Sequence, residues 1–193
     1  MIIPFLRRGA YKARRLEQGR VYLRMPKVGD WLDWSSLREA SRDFLAPWEP
    51  LWPHDALTRA SFRRRVEHVR QEWEQGTGYG FLIYLKENNR MVGGITLSNV
   101  RRGVSQTASL GYWVGQPVAR QGYMTEALQV AIDFAFGELG LHRLEAACLP
   151  ANAASRRLLE KSGFSEIGYA RQYLRIAGKW QDHILYERLK SDI

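Results

Sequence analysis

The stretch Gly111 to Ala127, GYWVGQPVARQGYMTEA, carries the residue pattern best suited to chemistry in this chain. It reads as the end of a strand, a short loop holding Gly122 and the start of a helix. A helix N-terminus presents unpaired N–H groups and partial positive charge, and a glycine lets the backbone approach a ligand closely. The loop is therefore suited to holding phosphate, and Arg120 adds a full positive charge beside it. By itself, a strand–loop–helix turn with one glycine is also an ordinary turn. The other reactive side chains point elsewhere. Cys148 is the only cysteine, so no internal disulfide can form, and a small buried thiol is expected there. His54, His68, His142 and His183 show no metal-ligand spacing; each is expected at the surface or in a loop, and no metal is implied.

The elements that must position this loop follow from hydrophobic period. Val21–Met25 reads as a short strand that Pro26 ends. Trp31, Trp34, Leu37 and Arg38 fall at helical spacing after Asp30, so a helix is expected to about Arg42, before Pro47, Pro50 and Pro53 break the chain. A second helix is expected over about Leu57–Gln75, with Gly76 beyond its end. The period then changes: Tyr79–Leu85, Met91–Val100 and Thr107–Val114 are rich in β-branched and aromatic residues and read as three antiparallel strands. Gly122 opens an amphipathic helix that Gly140 stops. Strand Arg143–Leu149, helix Ala153–Ser162 and strands Phe164–Ile176 and Trp180–Leu189 complete a β-α-α-β-β-β-α-β-α-β-β order. That is an α/β (α+β) chain with seven strands and one strand–helix–strand crossover in an otherwise antiparallel sheet.

Beyond the loop, Leu144–Leu149 leads into Pro150-Ala151-Asn152-Ala153-Ala154-Ser155 and a helix ending in Gly163-Phe164. Together the two halves resemble the GNAT superfamily, whose motif A is a pyrophosphate loop and whose motif B is an Asn, a short helix and a terminal Gly-Phe. The resemblance implies a GNAT fold with splayed fourth and fifth strands and acetyl-CoA as co-substrate. It places Trp113 and Val114 at the thioester and the amides of Arg120, Gln121, Gly122, Tyr123, Met124 and Thr125 on the pyrophosphate. Many members carry a Tyr acid seven residues after the motif-B Asn, where this chain has Leu159. Ser155, three after Asn152, is then the remaining proton donor, or else only part of a helix cap.

A narrower resemblance runs through Phe44–Pro50, Ser98–Gly103, Leu110–Tyr112, Met124–Leu128, Gly168–Leu174 and Gly178–His183. These segments are similar to ribosomal-protein-alanine N-acetyltransferases of the RimJ/RimL type, in which a loop Met and a Ser after the Asn are usual. Some members have a Glu directly before the Gly that is here Gly168; Ile167 holds that place, and Glu166 beside it must face the other way. The implied reaction is direct attack of an amine on the thioester, with strand amides near Val114 holding the oxyanion, Asn152 and Ser155 at the leaving group, and Glu49 orienting the amine. Glu49 in a Pro-rich loop is equally compatible with a purely structural place.

Composition bounds the rest. The 193 residues suit one domain, here 20–193, preceded by a basic extension over 1–19. The 45% apolar content is that of a folded protein. The apolar N-terminal residues precede Arg7 and Arg8, opposite to a secretory signal, and no stretch approaches a bilayer span, so a cytoplasmic location without membrane contact is expected. A net charge of +9, concentrated before Met25 and in Arg63-Arg64-Arg65, favours an anionic partner such as RNA or a ribosomal surface. The acceptor expected from the resemblance is a protein N-terminus, with a ribosomal protein favoured. The alternatives are acetylation of a small-molecule amine and a non-enzymatic ribosome or RNA binder. Oligomeric state stays open.

Overall fold

The computed structural model describes residues 15–192. Most of the expected basic extension, including Arg7, Arg8, Lys12 and Arg14, lies outside the described residues. One mixed sheet runs β1-β2-β3-β4-β5-β6-β8-β7, with β1 at Leu16–Gln18, β2 at Val21–Arg24, β3 at Tyr79–Leu85 and β4 at Met91–Arg101. The remaining strands are β5 at Thr107–Val114, β6 at Arg143–Cys148, β7 at Ser165–Ile176 and β8 at Lys179–Leu189. The sheet thus has eight strands, one more than expected. The additional strand, Leu16–Gln18, falls within the span read as an extension: three residues are too short to show a period of two, yet Leu16 is buried and pairs with Leu23.

The helices are α1 at Trp31–Glu39, α2 at Arg42–Leu45, α3 at Arg59–Gln75, α4 at Tyr123–Asp133 and α5 at Ala153–Lys161. Asp30 sits before α1 but does not cap that helix with its side chain; its carboxylate grips Arg24 at 2.6 and 2.8 Å and accepts the Lys27 amide at 2.7 Å, a capping box on the 3-10 turn Val28–Asp30. α3 is capped by Thr58, whose Oγ1 accepts the Ser61 N–H, and ends at left-handed Gly76.

Strand alternation divides the core. In β3, Phe81, Ile83 and Leu85 face the main cluster with α4 and α5, whereas Leu82 and Tyr84 face a smaller cluster with Trp34 and Phe62 from α1 and α3. The sheet is therefore covered on both sides, and fully buried Leu128, Ile132 and Leu159 each contribute about 1.5–3 kcal/mol by leaving water. His183 departs from its expected surface place. It is 2% exposed in β8, with its ring edge on Tyr173 and Nδ1 3.0 Å from the Gln181 carbonyl oxygen.

Candidate active site

Among the described residues β5 and β6 are the one parallel pair, and their ladder covers only Thr107↔Arg143, Ala108↔Leu144 and Ser109↔Glu145. Both strands continue beyond it, β5 to Val114 on β4 and β6 to Cys148 on β8. The sheet is therefore split from Leu110 onward, and those β5 amides and carbonyls that point toward β6 have no strand partner. A split of this kind exposes backbone donors to a ligand lying between the strands.

The loop expected to hold phosphate lies at the end of β5. Arg120 (φ 63°) and Gly122 (φ 84°) both take left-handed backbone, and no side chain caps α4. The first-turn amides, at Tyr123, Met124 and Thr125, are accordingly open to an anion. The Met124 side chain itself is buried in the core, so only its backbone can serve a ligand. Arg120 and Gln121 are exposed.

Arg20, in the β1–β2 turn, braces this loop from outside. Its Nε and backbone N–H donate to Glu126 at 2.7 and 2.6 Å, its NH2 group donates to the Gln121 carbonyl at 2.9 Å, and its guanidinium covers the Tyr123 ring at 4.6 Å. Partial burial alone would raise the Glu126 carboxyl, but the side-chain and backbone hydrogen bonds from Arg20 hold it below its usual range.

Across the split, Asn152 stands before α5 and its Oδ1 accepts the Ser155 N–H at 3.0 Å, the cap that the residue type favours. The Ser155 hydroxyl lies 2.8 Å from the Tyr112 phenol oxygen. Burial drives the Tyr112 phenol well above its usual range, only partly offset by the Ser155 hydrogen bond, so it remains protonated. Cys148 is buried as expected; burial raises its thiol, against a lowering by Ser155 and by Arg156. Leu159, in the place of the usual Tyr, is 1% exposed in the core and offers nothing to the split.

Trp113 and Val114 are adjacent on β5, so their side chains part: Val114 packs with Tyr112 on the main cluster, and Trp113 joins the smaller one on the opposite face. Trp113 fits there because its strand partner is Gly94, where a Cβ would meet the indole nitrogen at 2.5 Å. The Arg38 guanidinium lies 4.9 Å from the Trp113 ring and 4.2 Å from Trp52. Glu49 completes this group: Arg38 donates to both its oxygens at 2.7 and 2.6 Å, and the Trp52 indole donates at 2.8 Å. Its carboxylate is thereby held by the protein, and the Ala177 N–H donates to its backbone carbonyl from the β7–β8 turn.

Arg65, expected in a basic run, lies over Trp34 at 5.5 Å, while its neighbour Arg64 pairs with Asp55 at 2.6 Å. Burial around the Arg65 head group and the like charge of Arg38 lower its pKa, with Glu49 opposing. Glu166 reaches Arg156 at 3.6 Å, and the register shift between Glu166 and Gly168 leaves Ile167 exposed.

A strand pair that parts beside an uncapped helix start, facing an Asn-capped helix, is the arrangement of an acetyl-CoA-binding fold. The chain matches the acetyltransferase (GNAT) domain family over residues 20–165, and it belongs to that family. It is 35% identical over 172 residues to the probable N-acetyltransferase YjcK of Bacillus subtilis (strain 168), covering 89% of this chain and 95% of that protein. It is 32% identical to the [ribosomal protein uS5]-alanine N-acetyltransferase of Escherichia coli (strain K12), covering 89% of this chain and 88% of that one. The structure of Mycobacterium smegmatis RimJ in complex with CoA-disulfide superposes with a TM-score of 0.85 at 34% identity, covering 90% and 83% of the two chains. The protein is thus an acetyl-CoA-dependent N-acetyltransferase of GNAT type, homologous to ribosomal-protein N-acetyltransferases.

Among the described residues no helix is long and apolar enough to cross a membrane. Arg20, Arg38 and Tyr112 contact the candidate site residues although the sequence did not single them out for it. The type and strand of Tyr112 were evident, but only the fold brings it to Ser155, 43 residues away.

Proposed function

We propose that the enzyme acetylates the α-amine of a protein N-terminus, with the N-terminal alanine of a ribosomal protein as the favoured acceptor, in the cytoplasm. The observation that carries this reading is the pairing of two faces at one split in the sheet. Ser155, Asn152 and the α4 amides lie on one face, and Trp113, Arg38 and Glu49 on the other. Acetyl-CoA enters from the α4–α5 side, with its pyrophosphate on the amides from Arg120 to Thr125 and its thioester beside Val114. The acceptor enters over Trp113.

The neutral amine attacks the thioester carbon, unpaired β5 amides receive the oxyanion, the C–S bond breaks, and Ser155 protonates the leaving thiolate. No strong base is required, because an α-amine has a pKa of about 7.7–8.0 against about 10.4 for lysine. Glu49 acts by charge. It balances Arg38 and orients the ammonium before that group loses its proton to water. Arg38 and Arg65 against Glu49 leave a positive excess on the acceptor face, which disfavours a polyamine. The kinship with proteins named for ribosomal substrates and the net charge of +9 support an acceptor presented on a ribosomal, RNA-rich surface.

The test uses two short peptides with saturating acetyl-CoA, one with a free N-terminal Ala and no lysine, the other blocked and carrying one lysine, alongside a panel of small amines. Acetylation of the alanine peptide alone is expected. Acetylation of the lysine peptide alone, or of a small amine in preference to both peptides, overturns the reading.

A further inference from the structure

Ser155 is held twice. Asn152 fixes its backbone N–H at the first turn of α5, and Tyr112, reaching from β5, meets its hydroxyl at 2.8 Å. Which of the two hydroxyls donates decides what Ser155 can do. An aliphatic alcohol is a weak acid and a phenol a stronger one, with a pKa of about 10, so the phenol is the better donor and the alcohol the better acceptor. A Tyr112 phenol that donates leaves the Ser155 proton free. The reverse arrangement would spend that proton inside the protein and leave the phenol proton without a partner in apolar surroundings formed by the main core.

We propose that Tyr112 is a positioning residue for acetyl transfer: its hydroxyl donates to Ser155 Oγ, turns the Ser155 proton toward the thioester sulfur, and steadies the negative charge that develops on Oγ as that proton leaves. The inference rests on the reading of Ser155 as the donor to the thiolate. The step balances. The amine nitrogen bonds to the carbonyl carbon, the C–S electron pair goes to sulfur, sulfur takes the Ser155 proton, and the proton lost by the new ammonium returns to Ser155 through water. Tyr112 keeps its proton throughout. Burial raises its pKa, which keeps the phenol neutral over the working range of pH and so preserves the donor.

A lone serine is too weak an acid to assist a thiolate much, whereas a serine whose oxygen already accepts a phenol hydrogen bond gives up its proton more readily. The same contact ties β5 to α5 across the split, so the donor is fixed relative to the strand that holds the thioester.

The experiment is a double-mutant cycle on Tyr112→Phe and Ser155→Ala, read by single-turnover rates with the alanine peptide and by acetyl-CoA binding in a calorimeter. Phe keeps the buried ring, and unchanged acetyl-CoA affinity reports an intact fold. Tyr112→Phe is expected to slow acetyl transfer about 10-fold with acetyl-CoA affinity within a factor of two, and to cost nothing further in the Ser155→Ala background. Equal losses in both backgrounds make Tyr112 a merely structural residue and overturn the proposal. So does an unchanged rate for Tyr112→Phe while Ser155→Ala is slow, an outcome that leaves the Ser155 reading standing. A full rate for Ser155→Ala overturns both.

Discussion

Arg20 and Glu126, separated by 106 residues, close a two-pronged contact over the loop that leads into α4, with the Arg20 backbone and side chain each donating to one carboxylate oxygen. Glu126 lies in the first turn of α4, where its charge suits the helix start but opposes an incoming pyrophosphate. Arg20 cancels that opposition and draws the Gln121 carbonyl outward. Arg20→Ala should therefore raise the Kd for acetyl-CoA about 5- to 10-fold, within the usual range of charge-assisted hydrogen bonds. Turnover at saturating acetyl-CoA should stay near the parent value. Titration of both proteins with acetyl-CoA checks this, and equal affinities would leave Arg20 without a role in the loop.

The same contact sets a pH dependence. The Glu126 carboxyl is held below its usual range in the folded protein, so the stabilisation from Arg20 is fully present above the unfolded carboxylate value of about 4.3. It is lost as pH falls through the lower, folded value. Thermal melts of the parent and of Glu126→Gln should differ most near neutrality and converge in acid. A gap in Tm that widens below pH 4 contradicts the assignment.

Gly122 makes the loop possible, with φ at 84° and a space in which a Cβ would stand 3.2 Å from the Arg20 guanidinium. A β-branched residue is disfavoured at such a φ, and its side chain would crowd both the amides and Arg20. Gly122→Val should lose most acetyl-CoA affinity while the rest of the fold survives, and Gly122→Ala should lose less. The loop assignment fails if folded Gly122→Val binds acetyl-CoA within a factor of two of the parent.

Leu159 shows why the usual acid cannot simply be restored. It is 1% exposed, on the face of α5 that packs into the core beneath the split. Leu159→Tyr should destabilise the protein by about 1–3 kcal/mol through overpacking and leave turnover no higher than the parent. Denaturant melts and rates measured together check both halves, and a gain in turnover would place the side chain at the thioester after all.

Much of this site is legible in the sequence because motif and element coincide. Gly122 and Asn152 each act through local backbone geometry, at a left-handed turn and a helix cap, which residue type and spacing encode directly. What is not legible depends on contacts between distant segments. Leu16–Gln18 becomes a strand only by pairing with β2, too short a run to show its own period. Glu49 reads either as an acid that orients the amine or as part of a Pro-rich loop, and nothing in the sequence shows that Arg38 and Trp52 bond to its carboxylate. Trp113 and Val114 read as one wall, yet strand alternation and the room above Gly94 send the indole to the opposite face.

The acceptor class leaves a signature in the pH dependence of the rate. With saturating acetyl-CoA and limiting peptide, the rate follows the fraction of acceptor amine that is neutral, provided no internal base takes its proton. In the proposed mechanism Glu49, bonded to Arg38 and Trp52, acts by charge and not as such a base. The rate with an N-terminal alanine peptide should thus rise about 10-fold per pH unit below 7 and level off near the amine's own pKa, roughly 8. Tyr112 stays protonated across this window, since burial raises its phenol, so no falling limb from loss of its hydrogen bond is expected before the plateau is reached. Glu49→Gln should keep the shape of the profile and change only its height. A plateau well below pH 7 in the parent that moves up toward 8 in Glu49→Gln would instead make Glu49 the proton acceptor, and a rate still climbing near pH 10 would point to a lysine.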